Sequence, residues 1–203
     1  ERLIAGNTFT APGGQAVVPI TLTNESPVAG LQVTIQAIDM SSEEPLQPLG
    51  PDPLVVEDSS EFASLIGVLN RLESDGFTVS HGTNELGVTT LLLISLNGQQ
   101  LEPGSWDLLD LVYEISPGVP VDQQIEVSLS EIVISDPESQ ALNVESFAGL
   151  IKLGEPGDVT GGFGGHGDGQ INILDIVSVV QLILGIIPEP EIDSFDFYLS
   201  DIN

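Results

Sequence analysis

Residues 15–38 read QAVVPITLTNESPVAGLQVTIQAI, two aliphatic segments with polar residues between them. Aliphatic and polar side chains alternate along residues 17–23 and again along residues 31–36. A period of two puts every second side chain on the same face of a β-strand. We therefore predict two strands here, each with one face in a hydrophobic core and the other in water.

Similar aliphatic segments recur through the first 153 residues, separated by turn residues such as Asn97-Gly98 and Pro103-Gly104. Residues 89–94 are apolar on both faces, which predicts a central strand of a sandwich. Further strands are predicted at residues 77–80, 88–95, 108–115, 125–135 and 147–153. A stretch of this length can bury a core of its own, so we predict one all-β sandwich over residues 1–153.

Two segments interrupt the strand pattern. Residues 39–53 contain four prolines and little periodicity, which predicts a long loop. Ala63 to Leu72 predicts a short connecting helix.

Residues 158–175, DVTGGFGGHGDGQINILD, have the pattern of a calcium loop that leads into a helix. Such a loop offers oxygen ligands at positions 1, 3, 5, 7, 9 and 12, with a glycine at position 6. With Asp175 at position 12, Gly169 falls at position 6, and lifting out the glycine-rich insert 161–166 brings Asp158 to position 1. Closing a loop with such an insert costs little additional entropy. The predicted Ca²⁺ ligands are Asp158, Thr160, Asp168, the Gln170 carbonyl, Asn172 and Asp175.

The segment from Ile173 to Leu184 predicts an amphipathic helix. Its polar residues, Asp175, Ser178 and Gln181, follow i, i+3, i+6 spacing, so they form one narrow stripe that we expect to face water. The remaining apolar surface is too wide for a helix docked on one neighbour. We therefore expect a partner to cover it.

The composition narrows the possible partners and the location. Three Lys and Arg against 31 Asp and Glu give a net charge of −28, which excludes a basic surface for nucleic acid or anionic membranes. This charge calls for bound cations or a salty medium, because self-repulsion destabilises the compact state. The lack of cysteine excludes disulfides and thiolate metal sites.

No apolar run reaches the roughly 18 residues of a membrane span. Since the sequence starts at Glu1 instead of Met, we expect a removed secretory signal and a secreted or cell-surface protein.

The sequence gives little support for catalysis. His81 and His166 have no nucleophile motif near them. Paired carboxylates without a cleft define no acid–base machinery, so we predict that the protein is not an enzyme. Trp106 with Tyr113 could form a sugar-stacking platform, although a lone Trp at the start of a strand is more often part of a core or its rim.

The C-terminal motifs resemble the first repeat of a dockerin module. They are Gly157-Asp158-Val159, then GDGQINILDIV at residues 167–177, then QLILG at residues 181–185. Dockerins pair two such repeats, and residues 195–203, FDFYLSDIN, look like the lead-in to a second one, with which the sequence ends. That ending departs from an ordinary two-calcium dockerin. The alternative is a surface turn before an unrelated helix.

In dockerins, the side chains at loop positions 10 and 11 and along the following helix contact the partner. The resemblance therefore implies partner binding by Ile173, Leu174, Val177 and Val180.

The first 153 residues resemble a cohesin, the jelly-roll sandwich that dockerins bind. The resemblance rests on the order of several motifs: APGG at 11–14 before VVPI, VAGLQV at 28–33, GFTV at 76–79, LISL at 93–96 and the strand at 125–135. The alternative is a generic immunoglobulin-like or carbohydrate-binding sandwich. The resemblances divide the chain into a cohesin-like domain at 1–153 and a dockerin-like part at 154–203.

A chain that carries both resemblances would hold both halves of one heterologous interface. Heterologous contacts that do not close generate open filaments or tubes. We therefore expect a non-catalytic, extracellular, calcium-stabilised structural protein that assembles head to tail with copies of itself. The alternatives are an adaptor that docks secreted polysaccharide-degrading enzymes bearing a cohesin or dockerin, and a carbohydrate-binding sandwich.

Overall fold

Alternation of aliphatic and polar residues produces strands along most of the chain. The structure is a computed structural model that describes residues 1–40, 62–121, 123–159 and 171–186. The described residues form twelve strands, a 3₁₀ turn at Glu73–Asp75 and one α-helix. The strands are β1 (Arg2–Ala5), β2 (Thr8–Thr10), β3 (Gln15–Asn24), β4 (Gly30–Asp39), β5 (Ala63–Asn70), β6 (Phe77–Thr83), β7 (Thr89–Ser95), β8 (Gly104–Ile115), β9 (Gln124–Ser135), β10 (Ala141–Leu142), β11 (Glu145–Phe147) and β12 (Gly149–Leu153), and the helix is α1 (Ile173–Ile183).

The strands pack as two sheets with the core between them. Sheet A has the order β11-β1-β3-β8-β5, and sheet B has the order β2-β12-β9-β4-β7-β6, with β10 beside β9. Among the described strands, β1 with β11 and β2 with β12 run parallel, and the other pairs are antiparallel. The chain thus begins in sheet A, crosses to sheet B and returns, so its first ten residues join the two sheets at one side.

The predicted period of two is confirmed in the strands that fill the core. In β3 the side chains of Ala16, Val18, Ile20 and Leu22 are at most 1% exposed, whereas Val17 between them is 44% exposed. Strand β4 buries Leu31, Val33, Ile35 and Ala37 in the same way. Both sheets therefore contribute alternate residues to one continuous core. The all-β sandwich predicted from the sequence is confirmed.

Two further predictions can be compared with the strand order. Residues 89–95 form β7, so the predicted strand is confirmed, but it is the second strand from the edge of sheet B and not a central one. The helix predicted at Ala63 to Leu72 is wrong, because Ala63–Asn70 forms β5 at the edge of sheet A. Pairing with β8 and burial of Ala63 against the core outweigh the local helical spacing of Leu65, Ile66 and Leu69.

Within the ranges that the structure describes, no helix is long and apolar enough to cross a membrane.

Candidate calcium loop and docking surfaces

The segment after the last strand leads directly to the predicted metal loop. Strand β12 ends at Leu153, and the Gly154 N–H donates to the Thr10 carbonyl at 3.1 Å. A tight turn follows, in which the Asp158 N–H donates to the Glu155 carbonyl at 3.0 Å and Gly157 has φ +98°. A positive φ is readily adopted by glycine, so Gly157 permits the turn that brings Asp158 inward. Asp158 is 1% exposed.

The start of helix α1 is fixed by two polar residues. Asn172 is the N-cap, and its Oδ1 accepts the Leu174 N–H at 2.9 Å. Asp175 Oδ2 accepts the Asn172 N–H at 2.6 Å, which completes a capping box. Its Oδ1 accepts the Val159 N–H at 2.9 Å. Asp175 therefore ties the first turn of the helix to the residue that follows Asp158.

This tie brings together three of the six predicted metal ligands. Asp158 and Asp175 are 1% and 2% exposed, and Asn172 is half-buried beside them in the capping box. The remaining predicted ligands, Thr160, Asp168 and Gln170, lie outside the described residues. Among the described residues there is no group of three or more acidic, histidine or cysteine side chains that could hold a metal.

The chemistry of these three residues fits calcium. Each presents side-chain oxygens, the ligand type that Ca²⁺ prefers, and a carboxylate oxygen that accepts one N–H keeps a second lone pair. Buried carboxylates in proteins are normally paired, hydrogen-bonded or bound to a metal. The backbone hydrogen bonds of Asp175 account for part of its burial.

The orientation of helix α1 is opposite to the prediction. Asp175, Ser178 and Gln181, the stripe expected to face water, are buried or half-buried. The physical reason is the bonding of Asp175 to Val159 and Asn172, which turns this side of the helix toward Val159.

The apolar side of the helix is therefore left open. Ile173 and Leu174 are 66% and 57% exposed, and Val177 and Val180 are both 46% exposed. Other exposed aliphatic residues of the helix and its ends are Ile171, Ile176, Ile183, Leu184 and Ile186. Exposed apolar surfaces of this kind are typical of interaction sites in proteins.

A second candidate surface is the outer face of sheet B, which sequence reasoning did not locate. Three rows of residues cross β9, β4, β7 and β6 on this face and contain no charged side chain: Val133, Gln32, Leu92 and Ser80; Ser130, Thr34, Thr90 and Gly82; Ser135, Gly30, Ile94 and Thr78. Leu92 is 37% and Val133 52% exposed. The sequence feature that indicates this face is the apolar character of residues 89–94 on both faces. A strand with one face in water would normally carry polar residues on that face.

A bulge places one carboxylate over this face. The register of β4 against β9 shifts between Gln32 and Thr34, and Glu131 in the bulge has φ +47°. Thr34 Oγ1 donates to Glu131 Oε2 at 3.0 Å. Bulges re-aim side chains and are enriched near functional sites.

The two aromatic residues proposed as a sugar-stacking platform do not meet. Tyr113 is 3% exposed in the core, and Trp106 lines a groove near the opposite end of β8. Burial raises the pKa of the Tyr113 hydroxyl above its usual range. A platform built from both rings is therefore excluded.

Solved structures share this architecture. A chain of a type I cohesin–dockerin complex from Clostridium thermocellum matches with a TM-score of 0.56 and 15% identity, over 75% of this chain and 97% of that chain. The sandwich has the cohesin fold. A non-cellulosomal cohesin from the archaeon Archaeoglobus fulgidus matches with a TM-score of 0.55 and 13% identity, over 75% of this chain and 89% of that chain. A structure of the sixth cohesin of Acetivibrio cellulolyticus scaffoldin B with a mutant Cel5 dockerin has the same TM-score and identity, over 75% and 97%.

No protein-family model matches the chain, and no curated protein matches it. The cohesin fold is thus established by structure alone, and its function has to be argued from the surfaces just described.

Proposed function

We propose that this chain is a non-catalytic extracellular scaffolding subunit that assembles head to tail, with helix α1 of one copy docked on the outer face of sheet B of the next. The observation that carries the proposal is the open apolar side of α1, on a chain whose cohesin-fold core is already complete. The similarity of this fold to cohesins solved in complex with dockerins supports a docking role for the sandwich.

The energetics favour an intermolecular contact. Burying the side chains of Ile173, Leu174, Val177 and Val180 would contribute roughly 6 to 10 kcal/mol before the cost of association. Because the helix and the sheet face are two different surfaces of the same chain, the contact is heterologous. Repetition of such a contact gives an open filament or tube.

The distribution of charge favours a contact between helix α1 and the outer face of sheet B. At a net charge of −28, most pairs of surfaces on two copies repel. The three rows on sheet B carry no charge, and the exposed positions of α1 are aliphatic. By contrast, the outer face of sheet A includes the exposed carboxylates of Asp107 and Glu114. Contact through the three uncharged rows of sheet B therefore brings fewer like charges together, with Glu131 as the carboxylate nearest to them.

Calcium has a supporting role in the proposal. Asp158, Asn172 and Asp175 would hold the ion, together with Thr160, Asp168 and Gln170. When bound, it would supply positive charge among carboxylates that otherwise repel one another. The residues of the chain themselves cap the helix and tie it to Val159.

The first test compares the wild type with Leu174→Asp/Val177→Asp in the presence of calcium, by light scattering and negative-stain imaging. Charges placed in the buried contact cost several kcal/mol, roughly 2 to 7 for each unpaired polar group, so we expect filaments from the wild type and none from the variant. Leu86→Asp/Leu96→Asp adds the same charge at exposed turn positions and should assemble normally. Filaments of unchanged length in the helix variant would refute the proposal.

A second pair of variants tests the choice of sheet. Leu92→Asp lies on the outer face of sheet B and Leu69→Asp on that of sheet A, and both leucines are exposed. We expect only Leu92→Asp to abolish assembly. Loss of assembly in Leu69→Asp alone would move the contact to sheet A.

The second candidate function is an adaptor that binds a dockerin-bearing secreted protein, such as a polysaccharide-degrading enzyme. The observation that favours it is that two of the similar structures are complexes of a cohesin with a separate dockerin. A wild type that stays monomeric at high protein and calcium concentrations, yet binds an added dockerin, would establish this function instead.

A further inference from the structure

A groove at one end of the sandwich has an apolar floor and a polar rim. The floor is formed by Phe77 and Leu101, which are 2% and 1% exposed, and by half-buried Trp106. The rim is formed by Ser74, Asp75, Asn97, Gln99 and Gln100. The volume is about 460 Å³, which lies within the roughly 300–1,000 Å³ of small-molecule sites. An apolar surface with a few polar groups around it is the usual composition of such sites.

The two walls of the groove are held in place by hydrogen bonds. On one side, the Asn70 side chain donates to the Phe77 carbonyl at 2.8 Å and accepts the Leu72 N–H at 2.9 Å. On the other side, Ser95 Oγ accepts the Gln99 N–H at 2.8 Å. Both walls are therefore ordered before a ligand arrives, which lowers the entropy cost of binding.

Trp106 presents an apolar ring to the groove. Its Nε1–H, the only polar group of the indole, donates to the Glu102 carbonyl at 2.8 Å. The same carbonyl accepts a hydrogen bond from Asn24 at 3.1 Å, so the anchor is itself fixed in the sandwich.

A glycine keeps the groove open beside this ring. Gly76 has φ +84°, and a Cβ there would lie 3.3 Å from Gln99 Cγ and 3.7 Å from Asn97 Nδ2. A larger residue would be strained and would press on two rim side chains.

The rim has unused hydrogen-bonding groups. Within the part of the chain that the structure describes, the Asp75 carboxylate and the side-chain amides of Asn97 and Gln99 have no hydrogen-bond partner. An amide offers both donors and acceptors, and a carboxylate offers acceptors only. This combination suits a ligand with many hydroxyl groups.

We propose that this groove binds a neutral saccharide, with the C–H face of a sugar ring on Trp106 and its hydroxyls on Asp75, Asn97 and Gln99. Acidic sugars are disfavoured, because Asp75 itself and the net charge of −28 repel them. The groove shares no residue with helix α1 or with the described part of the predicted calcium loop, so the proposed binding does not depend on head-to-tail assembly.

The chain provides its own probe for this site. Trp106 is the only tryptophan in the sequence, so intrinsic tryptophan fluorescence reports on the groove alone. The experiment titrates the full-length protein with cellohexaose, xylohexaose and mannohexaose, and with hexagalacturonate as the acidic counterpart. We expect a saturable change with at least one neutral hexasaccharide and none with hexagalacturonate.

Variants of the rim complete the test. Asn97→Ala/Gln99→Ala should weaken binding about tenfold, the loss expected for one or two hydrogen bonds. Asn143→Ala, at an exposed asparagine outside the groove, should bind like the wild type. Calorimetry on Trp106→Phe, which lacks the fluorophore, should show weaker binding of the same sugar. No response to any neutral hexasaccharide well above millimolar concentration, an equal response to hexagalacturonate, or unchanged affinity in the rim variant would each overturn the proposal.

Discussion

At the scale of single residues, Asp175 shows how one carboxylate organises the C-terminal part of the chain. Its two oxygens accept backbone N–H groups from Val159 and Asn172, so one side chain caps α1 and ties it to the preceding turn. Periodicity alone placed Asp175 on a wet face, because a pattern of polar and apolar residues contains no information about local side-chain bonds to the backbone.

Replacement of Asp175 by alanine should fray the helix and weaken calcium binding together. The variant leaves two backbone N–H groups without acceptors, which costs about 1–3 kcal/mol each where they are buried. Circular dichroism and calorimetry with calcium would measure both effects. Asp107→Ala removes an exposed carboxylate from sheet A and serves as the control. Equal calcium affinity in the two variants would show that Asp175 is a cap only.

Tyr113 makes the stability of the fold sensitive to alkaline pH. Burial raises the pKa of its hydroxyl above the usual value near 10, so the folded state holds a proton that the unfolded chain loses. The contribution of Tyr113 is therefore complete below about pH 10 and is lost as the pH rises above it. Between about pH 9 and pH 11 the melting temperature should fall less in Tyr113→Phe than in the wild type. Identical slopes would contradict this explanation.

At the scale of elements, the strands of the sandwich were predictable and the exceptions have physical causes. Strands β3 and β4 could be predicted because aliphatic and polar residues alternate along them, and β7, β8 and β9 because they are long segments rich in aliphatic residues. Strands β1 and β2 were not found, since four and three residues are too few to show a period. The helix predicted over Ala63 to Leu72 is a strand in the structure because the pairing of β5 with β8 is a long-range contact that local spacing does not encode.

The candidate site follows the same division. The helix start at Ile173 was predicted from the sequence pattern and is found in the structure, whereas Asn172 was predicted only as a metal ligand and is also the N-cap. Of the outer face of sheet B, the sequence indicates only the apolar residues of β7, because the whole face exists only once β9, β4, β7 and β6 lie side by side.

Substitutions on the two faces of β4 should have different effects on the free energy of unfolding. Ile35 is 1% exposed, so Ile35→Ala should reduce the free energy of unfolding by about 2–5 kcal/mol through lost burial and a cavity. Gln32→Ala, on the exposed face of the same strand, should change it by no more than about 0.5 kcal/mol. Urea unfolding measures both values, and a similar loss in both variants would contradict the two-faced description.

At the scale of the whole molecule, the negative charge sets how the protein responds to ions. Removal of calcium by a chelator should expose residues 157–185 to hydrogen exchange and leave the sandwich protected, because the core in residues 1–153 does not use the ion. Magnesium at equal ionic strength should not restore protection, since it demands a smaller octahedral shell. Recovery with magnesium or sodium alone would mean that screening of the charge, and not a specific site, orders this segment.

Strand β12 has a mechanical consequence for an assembled filament. It lies between β2 and β9 in sheet B and leads directly to the segment that bears helix α1. If a pull on that helix is transmitted through the chain to Leu153, it acts on the end of β12, and the ladder hydrogen bonds on both sides of this strand would carry the load. Tension along the filament would thus meet resistance at the point where it enters each sandwich. Single-molecule pulling should show a lower rupture force for Lys152→Pro, which removes one N–H from this ladder; an unchanged force would mean that the load travels by another route.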